Sequence, residues 1–500
     1  MLFMSALSFQ LDAEELYPLT HGALNLSYET LTLPGSESLG LAGMGMVVDL
    51  NSRVVPGWYG GLSAYGAMTG QRGGFFTGGF ASGLSIPVRK EITLNAGLFV
   101  GGGGGGAAPQ GGGLMLRPHI GLDYQWVDWR WGLQWSRVRF PNGAIDSEQW
   151  SLSLIRPLQF HLASTWLVDD KISRPRDRAA VSTSSRRGLS INQWSYYPCA
   201  NTRNTSGDVT TTPMRLLGFS LDLEHTQNHY RSLQTAGALA GSADGYAEVL
   251  WGNSWRYEIT GSLSWHVALA LGAGGGGSVA TGGGLLGRAT IAFEYDVDNV
   301  VQVALTLGHI AAPQGDFSAE VIGMQLAYHY AVPTILDDVS PSLYQPQHWR
   351  VRGVYQSYRP YGDTRRKGQA TIDRRRIDLL GSKIDLMLSP DIYITGQALG
   401  AFSGGAGGYA VGQFGLGWRY SLTRSLHANS ELLLGVGGGG GLDVGGGQLV
   451  QAMVGLELDL GDRFSLIVSA GGVEAAGGSL RARVVDLAVA YRLSSPIMKE

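Results

Sequence analysis

Apolar and polar residues alternate with a period of two over long stretches of this 500-residue chain. The clearest example lies near the C-terminus, where Val485, Leu487 and Val489 share one face of an extended segment while Asp486 and Ala488 share the other. A period of two predicts β-strands whose two faces meet different environments. Most of these segments are about 9–13 residues long, whereas strands of soluble proteins are usually about five or six. That length is typical of tilted, membrane-spanning strands.

The alternating segments belong to an internal repeat that is marked by three glycine-rich hairpins. These hairpins begin and end at Gly101 and Gly113, Gly274 and Gly284, and Gly437 and Gly447. Upstream of each hairpin, the pattern Tyr-x6-Gly-Ala-x6-Gly-aromatic starts at Tyr59, Tyr230 and Tyr393, which are separated by 171 and 163 residues. Agreement of this kind without a gap indicates three copies of one supersecondary unit.

Each repeat contains eight strand candidates, which predicts an all-β chain of 24 strands. The predicted organisation is a lead-in with a possible signal remnant at 1–20, repeats at 21–165, 190–332 and 349–493, linkers at 166–189 and 333–348, and a tail at 494–500. The sequence is compatible with two ways of closing these strands into barrels. The long linkers favour three tandem barrels, since eight strands already close a barrel that side chains fill. Hairpin duplication favours one wide barrel, into which the glycine hairpins would converge as a plug. The sequence slightly favours the single barrel.

Composition narrows the class of protein. Glycine accounts for 76 residues, only 15% of residues are charged, and the net charge is −3, so a nucleic-acid partner is not expected. The single Cys199 excludes an intrachain disulfide framework. No run of 18 apolar residues occurs, and therefore no transmembrane helix is predicted.

Long alternating strands, an even strand number and tight turns such as Asp298-Asn299 and Gly461-Asp462 resemble those of bacterial outer-membrane β-barrel proteins. The resemblance implies a transmembrane antiparallel β-barrel in the outer membrane, with outer-membrane lipids, lipopolysaccharide and the barrel assembly machinery as partners. Barrels of this class often end in an aromatic residue, whereas this chain continues past Leu493. If both termini are periplasmic, strand parity places the glycine hairpins on the extracellular side.

Candidate site residues are few. Asp49, Asp222 and Asp385 hold the same position in the three repeats, and a carboxylate facing hydrocarbon would be costly, so these residues are predicted to line the lumen. The glycine hairpins lack the Gly-Lys-Ser/Thr motif and the βαβ context of a phosphate-binding loop, and no cofactor is predicted. No residues stand at a recognisable metal-ligand spacing. No catalytic residue is predicted, because the ten histidines do not recur at a common repeat position and no nucleophile-elbow motif occurs.

The predicted function is that of a non-enzymatic outer-membrane barrel with a pore or transport, export or surface-interaction role. One alternative is a lipid-modifying barrel enzyme, which requires a Ser or His with a carboxylate partner. Another is a soluble or surface-attached β-repeat scaffold. The basic loop 359–376 is either a contact for anionic lipopolysaccharide or an ordinary solvated loop.

Overall fold

The computed structural model describes residues 18–50, 55–166, 184–226, 228–241, 243–298, 300–333 and 344–498. These residues form 24 antiparallel strands in three closed barrels of eight strands each. The predicted signal remnant and parts of both linkers and of the tail lie outside the described residues. Among the residues described, no helix is long and apolar enough to cross a membrane.

The strands follow one another around each barrel in chain order, apart from the point of closure. Barrel 1 consists of β1 Leu19–Thr32, β2 Ser38–Asp49, β3 Trp58–Thr69, β4 Phe76–Pro87, β5 Ile92–Gly104, β6 Met115–Trp126, β7 Trp129–Arg139 and β8 Asp146–His161. Barrel 2 consists of β9 Ser184–Pro198, β10 Met214–Thr226, β11 His229–Ala240, β12 Ala247–Thr260, β13 Leu263–Gly275, β14 Leu285–Asp296, β15 Val301–Ala311 and β16 Ser318–Pro333. Barrel 3 consists of β17 Tyr344–Pro360, β18 Ile377–Met387, β19 Ile392–Ala401, β20 Ala410–Ser421, β21 Leu426–Gly438, β22 Gln448–Asp459, β23 Phe464–Ala475 and β24 Arg481–Met498.

Every barrel closes because its last strand pairs with its first. Leu19 lies opposite His161 in barrel 1, and Tyr344 lies opposite Met498 in barrel 3. The structure thus has three closed barrels and not the single 24-stranded barrel that the sequence slightly favoured. The physical reason is that an unpaired strand edge is unfavourable in lipid, and eight strands are enough to remove both edges of a repeat.

The two faces of the strands differ as the alternation predicted, with apolar residues outside. In β24, Val485, Leu487 and Val489 are 42%, 45% and 53% exposed, whereas Asp486 and Ala488 are each 1% exposed. In β15, Val303, Leu305 and Leu307 are likewise exposed. Large apolar side chains thus cover the outside, as in membrane-spanning barrels, while each interior combines buried polar side chains with an apolar cluster.

The three barrels pack against one another in a cyclic order. The third strand of each barrel contacts the fifth strand of the next, so that β3 meets β13, β11 meets β21, and β19 meets β5. Each barrel therefore uses one side to contact its successor and another side to contact its predecessor. The result is a pseudo-threefold bundle made from a single chain.

A short segment after β8 reaches from barrel 1 to barrel 3. Ala163 and Ser494 exchange two backbone hydrogen bonds of 2.9 Å, and the Trp166 indole donates to the Trp349 carbonyl at 2.9 Å. The Trp166 ring also lies against the guanidinium groups of Arg419 and Arg492, at 5.3 and 4.9 Å from its centre. The end of the first repeat thus covers charged groups inside the third barrel.

Candidate functional site

The glycine-rich hairpins form the junctions between barrels. Gly73 in the β3–β4 loop donates its N–H to the Gly282 carbonyl at 2.8 Å, joining barrels 1 and 2. Gly408 in the β19–β20 loop donates to the Gly103 carbonyl at 3.1 Å, joining barrels 3 and 1. At the remaining junction, a methyl group added to Gly245 would lie 2.8 Å from the Gly439 nitrogen. The hairpins therefore lie between the barrels and do not converge on one lumen as a plug.

The repeated pattern Tyr-x6-Gly-Ala-x6-Gly-aromatic places glycine at these junctions. Gly66 is so close to barrel 2 that an added methyl group would lie 3.1 Å from the Ala273 side chain. The corresponding contacts elsewhere join Gly237 to Val436 and Gly400 to Gly102. The aromatic residue that ends each signature is buried in its own barrel: Phe75, Tyr246 and Tyr409. Close approach of the neighbouring barrel, through a side chain at Gly66 and Gly237 and through the backbone at Gly400, thus accounts for glycine at these positions.

Two arginines hold the junction loops in place. Arg72 forms a two-pronged ion pair with Glu37, at 2.8 and 2.5 Å, and donates to the Ala107 carbonyl at 2.7 Å. In barrel 3, Arg366 donates to the Gly404, Gly405 and Gly440 carbonyls and pairs with Asp373. A guanidinium with several donors in one plane suits such a set of acceptors.

The basic loop 359–376 is therefore tied into the structure at its centre. Arg366 is 5% exposed, while Arg375 and Arg376 are exposed and pair with Asp373 and Asp378. Lys367 extends further and binds Asp244 of barrel 2 at 2.6 Å. A contact with lipopolysaccharide stays a prediction for this loop. The exposed basic side chains of the loop are the ones that would make it.

The ion pair inside this loop makes its stability depend on pH. Hydrogen bonds from Arg375 and then Arg366 hold the pKa of Asp373 well below its usual range. Because the pKa of Asp373 is lower in the folded state, the ion pair stabilises the fold fully at a pH above the unfolded-state pKa of about 3.9. This stabilisation is lost as the pH falls through the folded-state pKa. We expect Asp373→Asn to lower the free energy of unfolding at pH 6, and this loss to shrink as the pH drops below about 4.

Chemical unfolding in detergent at both pH values measures this difference. The matched control is Asp363→Asn, an exposed carboxylate in the same loop. A loss for Asp373→Asn that is the same at pH 6 and in acid would contradict the assignment.

Barrel 3 is filled by a network of buried charges. Arg350 binds Asp385 at 2.6 Å, and Arg352 binds Asp385 at 2.6 Å and Glu431 at 2.7 Å. Lys383 adds a contact of 3.1 Å to Glu431. All five side chains are at most 3% exposed. Opposite charges held at hydrogen-bond distance offset the desolvation of each group.

Barrel 2 is filled in a similar way by different residues. Near the glycine end, Glu248 accepts hydrogen bonds from Tyr196 at 2.7 Å, from Tyr246 at 2.9 Å and from Arg288 at 2.9 Å. Arg288 also lies over the Trp194 ring at 4.4 Å. The described residues of this barrel enclose a small cavity of about 60 Å³.

Barrel 1 contains a much larger cavity of about 770 Å³. One end of the cavity lies at the rim that carries the short turns, where Lys90, Val127 and Asp128 line it. Deeper inside, polar side chains face the space, and Asn25 Oδ1 lacks a hydrogen-bond partner within the described residues. Such a lining is suited to water or a polar solute.

The cavity ends at a buried ion pair. Arg117 binds Glu29 through two hydrogen bonds of 2.7 and 3.0 Å, and Ser136 donates to the same carboxylate at 2.5 Å. Arg117 also lies over the ring of Tyr65, at 5.3 Å. Between this pair and the glycine hairpins, a buried apolar cluster around Tyr65 and Phe99 fills the barrel, so that in the described residues the cavity has a closed inner end.

The three predicted lumen aspartates lie in three different settings. Asp385 is fully buried within the charge network of barrel 3. Asp222 lines the small cavity of barrel 2, together with His266 and Glu294. Asp49 is exposed and lines the large cavity of barrel 1. One repeat position has thus acquired three different environments, and any shared role of these residues stays a prediction.

The buried arginines were missed at the level of sequence. Arg117 of barrel 1 and Arg288 of barrel 2 hold the same repeat position. Their carboxylate partners do not: Glu29 lies in the first strand of barrel 1, and Glu248 lies in the fourth strand of barrel 2. A search for recurring pairs therefore finds nothing. The available signal was an arginine on the inward face of a long alternating strand, where a charge requires a partner.

Comparison with known proteins gives limited information. No family model matches the chain, and no curated protein matches it. Among solved structures, the siderophore receptor PirA from Acinetobacter baumannii has 10% identity over 95% of this chain and 80% of its own, with a TM-score of 0.28. The ferripyoverdine receptor of the outer membrane of Pseudomonas aeruginosa has 8% identity over 95% and 72%, with a TM-score of 0.28. OpdQ of Pseudomonas aeruginosa has 9% identity over 95% and 97%, with a TM-score of 0.21.

These TM-scores carry no argument about fold or function. The assignment of class rests on strand pairing, barrel closure and the distribution of side chains. Closed antiparallel barrels of even strand number, with apolar outer faces and buried polar side chains inside, are typical of transmembrane β-barrels. The chain accordingly has the architecture of a transmembrane β-barrel protein, in three closed units.

Proposed function

We propose that this chain is a non-enzymatic, integral outer-membrane protein in which barrel 1 admits a small polar solute. The observation that carries the proposal is the cavity of about 770 Å³ in barrel 1, compared with about 60 Å³ in barrel 2. In this view, barrels 2 and 3 anchor and support barrel 1. Their apolar outer faces contact membrane lipids, and their outer loops meet lipopolysaccharide.

The proposed orientation follows from strand parity. If the chain enters and leaves each barrel on the periplasmic side, the cavity opens toward the periplasm and the glycine hairpins face the cell exterior. The Glu29–Arg117 pair and the apolar cluster around Phe99 then separate the cavity from the extracellular side. Export of a solute through barrel 1 requires the side chains of this pair to move out of the way. Binding of a solute inside the cavity does not require such a movement.

Removing the inner closure tests the proposal. We expect the wild-type protein, purified from the outer-membrane fraction and placed in planar lipid bilayers, to conduct ions poorly. The double variant Glu29→Ala/Arg117→Ala is expected to conduct better than the wild type, because it removes the charged part of the closure and leaves the apolar cluster around Phe99 as the remaining barrier. Both partners are changed together, since removing one would leave an unpaired buried charge and destabilise the barrel by about 3–5 kcal/mol.

The matched control is Glu248→Ala/Arg288→Ala, which removes the corresponding ion pair from barrel 2. No large cavity adjoins that pair, so this variant should conduct as poorly as the wild type. Equal conductance of the two double variants would contradict a special role for barrel 1. Recovery of the wild-type protein only in soluble fractions would contradict the membrane location.

A further inference from the structure

Three residues with metal-binding side chains meet on the outer surface of barrel 2. Cys199 directly follows β9, His309 lies near the end of β15, and Glu320 lies near the start of β16. His309 is directly opposite Glu320 in the ladder, and Glu320 is opposite Tyr197, two residues before Cys199. The three positions therefore lie on adjacent strand ends, at the end of the barrel that carries the glycine hairpin.

The side chains are close enough to share one ion. One potential ligand atom from each residue lies within 4.8 Å of the other two. His309 Nδ1 is 3.3 Å from Glu320 Oε1, and His309 Nε2 is 3.2 Å from Ser318 Oγ. If Nε2 carries the proton and donates to Ser318, the lone pair on Nδ1 faces the space shared with Glu320 and Cys199.

We propose that Cys199, His309 and Glu320 form a Zn²⁺ site on the rim of barrel 2. Thiolate, imidazole and carboxylate are the ligand types that zinc accepts, and a zinc ion with three protein ligands keeps one position for water. Ser318 orients the imidazole through the nitrogen that does not bind the metal, which is the usual arrangement around metal-bound histidine. His309 and Glu320 are exposed, so an ion reaches the site from water without crossing the barrel.

Sequence spacing does not reveal this site. The ligands are separated by more than a hundred residues between Cys199 and His309, and only strand pairing and barrel closure bring them together. The prediction of no metal site rested on local spacing. A site assembled from the first, seventh and eighth strands of one barrel leaves no local motif.

Titration of the full-length protein with Co²⁺ and Zn²⁺ in detergent, under reducing conditions, tests the proposal. Co²⁺ should produce a thiolate-to-metal charge-transfer band at one ion per chain, and Zn²⁺ should displace it. Cys199→Ser should abolish the band. Ser318→Ala should retain it but weaken binding by about 10–100-fold, as expected for loss of an orienting hydrogen bond.

The control is Glu258→Gln, an exposed carboxylate elsewhere on barrel 2, which should bind Co²⁺ like the wild type. Absence of the charge-transfer band in a wild-type protein that is folded and reduced would overturn the proposal. So would a band that persists in both His309→Ala and Glu320→Gln.

Discussion

Replacing Gly102 with alanine is expected to destabilise the protein by about 1–3 kcal/mol, the usual range for overpacking. The added methyl group would lie 2.3 Å from the Gly400 carbonyl oxygen, where β5 of barrel 1 meets β19 of barrel 3. Backbone on both sides leaves neither barrel able to yield without separating from the other. Chemical unfolding in detergent measures the loss, and protease sensitivity of the inter-barrel loops reports separation.

Gly78 provides a matched control, because it lies directly opposite Gly102 in the β4–β5 ladder. A methyl group added there meets nothing within 4 Å. Alanine is favoured over glycine inside a strand by roughly 0.5–1 kcal/mol, so Gly78→Ala should be neutral or slightly stabilising. The prediction therefore concerns a difference in sign, and similar destabilisation by both variants would refute it.

A second pair of glycine substitutions, Gly74→Ala and Gly35→Ala, compares two positions with the same backbone strain. Gly74 and Gly35 have similar positive φ angles of 85° and 82°. An alanine methyl group at Gly74 would lie 2.2 Å from the Gly276 nitrogen, whereas at Gly35 it meets nothing within 4 Å. Both substitutions should incur the strain of a positive φ, and only Gly74→Ala should add the cost of forcing two barrels apart.

Removal of the Asp385 carboxylate is expected to have the largest effect of any single charge substitution considered. Asp385→Leu would leave Arg350 and Arg352 fully buried with one counter-charge fewer, and such a loss typically costs about 3–5 kcal/mol. The free energy of unfolding in detergent is the measurement. Asp385→Asn keeps the side-chain volume, so it provides a milder variant if the leucine variant does not fold.

Asp49→Ala is the control at the same repeat position. Its carboxylate is exposed at the cavity of barrel 1, and surface substitutions usually change stability by less than about 0.5 kcal/mol. The double variant Asp385→Leu/Arg352→Met should recover part of the loss, because a buried ion pair can be replaced by apolar side chains of similar volume. A double variant with the two single losses simply added would show that the residues do not act as a pair.

The strands, their number and the direction of their faces could be predicted from sequence. Val485, Leu487 and Val489 lie outside because a period of two leaves only two choices of face, and the charge of Asp486 decides between them. Strand closure could not be predicted in this way. Alternation in β8 is the same whether its free edge pairs with β1 or with β9, so local pattern contains no information on the choice.

The junctions and interiors were inaccessible to sequence reasoning for a related reason. Gly102 is recognisable as unusual, but its role depends on Gly400, which lies in another repeat and on another barrel. Glu29 and Arg117 are likewise far apart in sequence and meet only when barrel 1 closes. Long-range pairing therefore accounts for most of what the sequence left open.

Fusion of the three barrels into one chain has a consequence for how they can diverge. In an assembly of three identical subunits, any substitution appears three times, so a cavity gained by one barrel is gained by all. Here the equivalent junction positions hold Gly102, Ala273 and Val436, and the cavity of about 770 Å³ in barrel 1 compares with one of about 60 Å³ in barrel 2. A single chain can therefore hold a large cavity in one of its barrels without repeating it in the others, an asymmetry that a trimer of identical and equivalent subunits does not have.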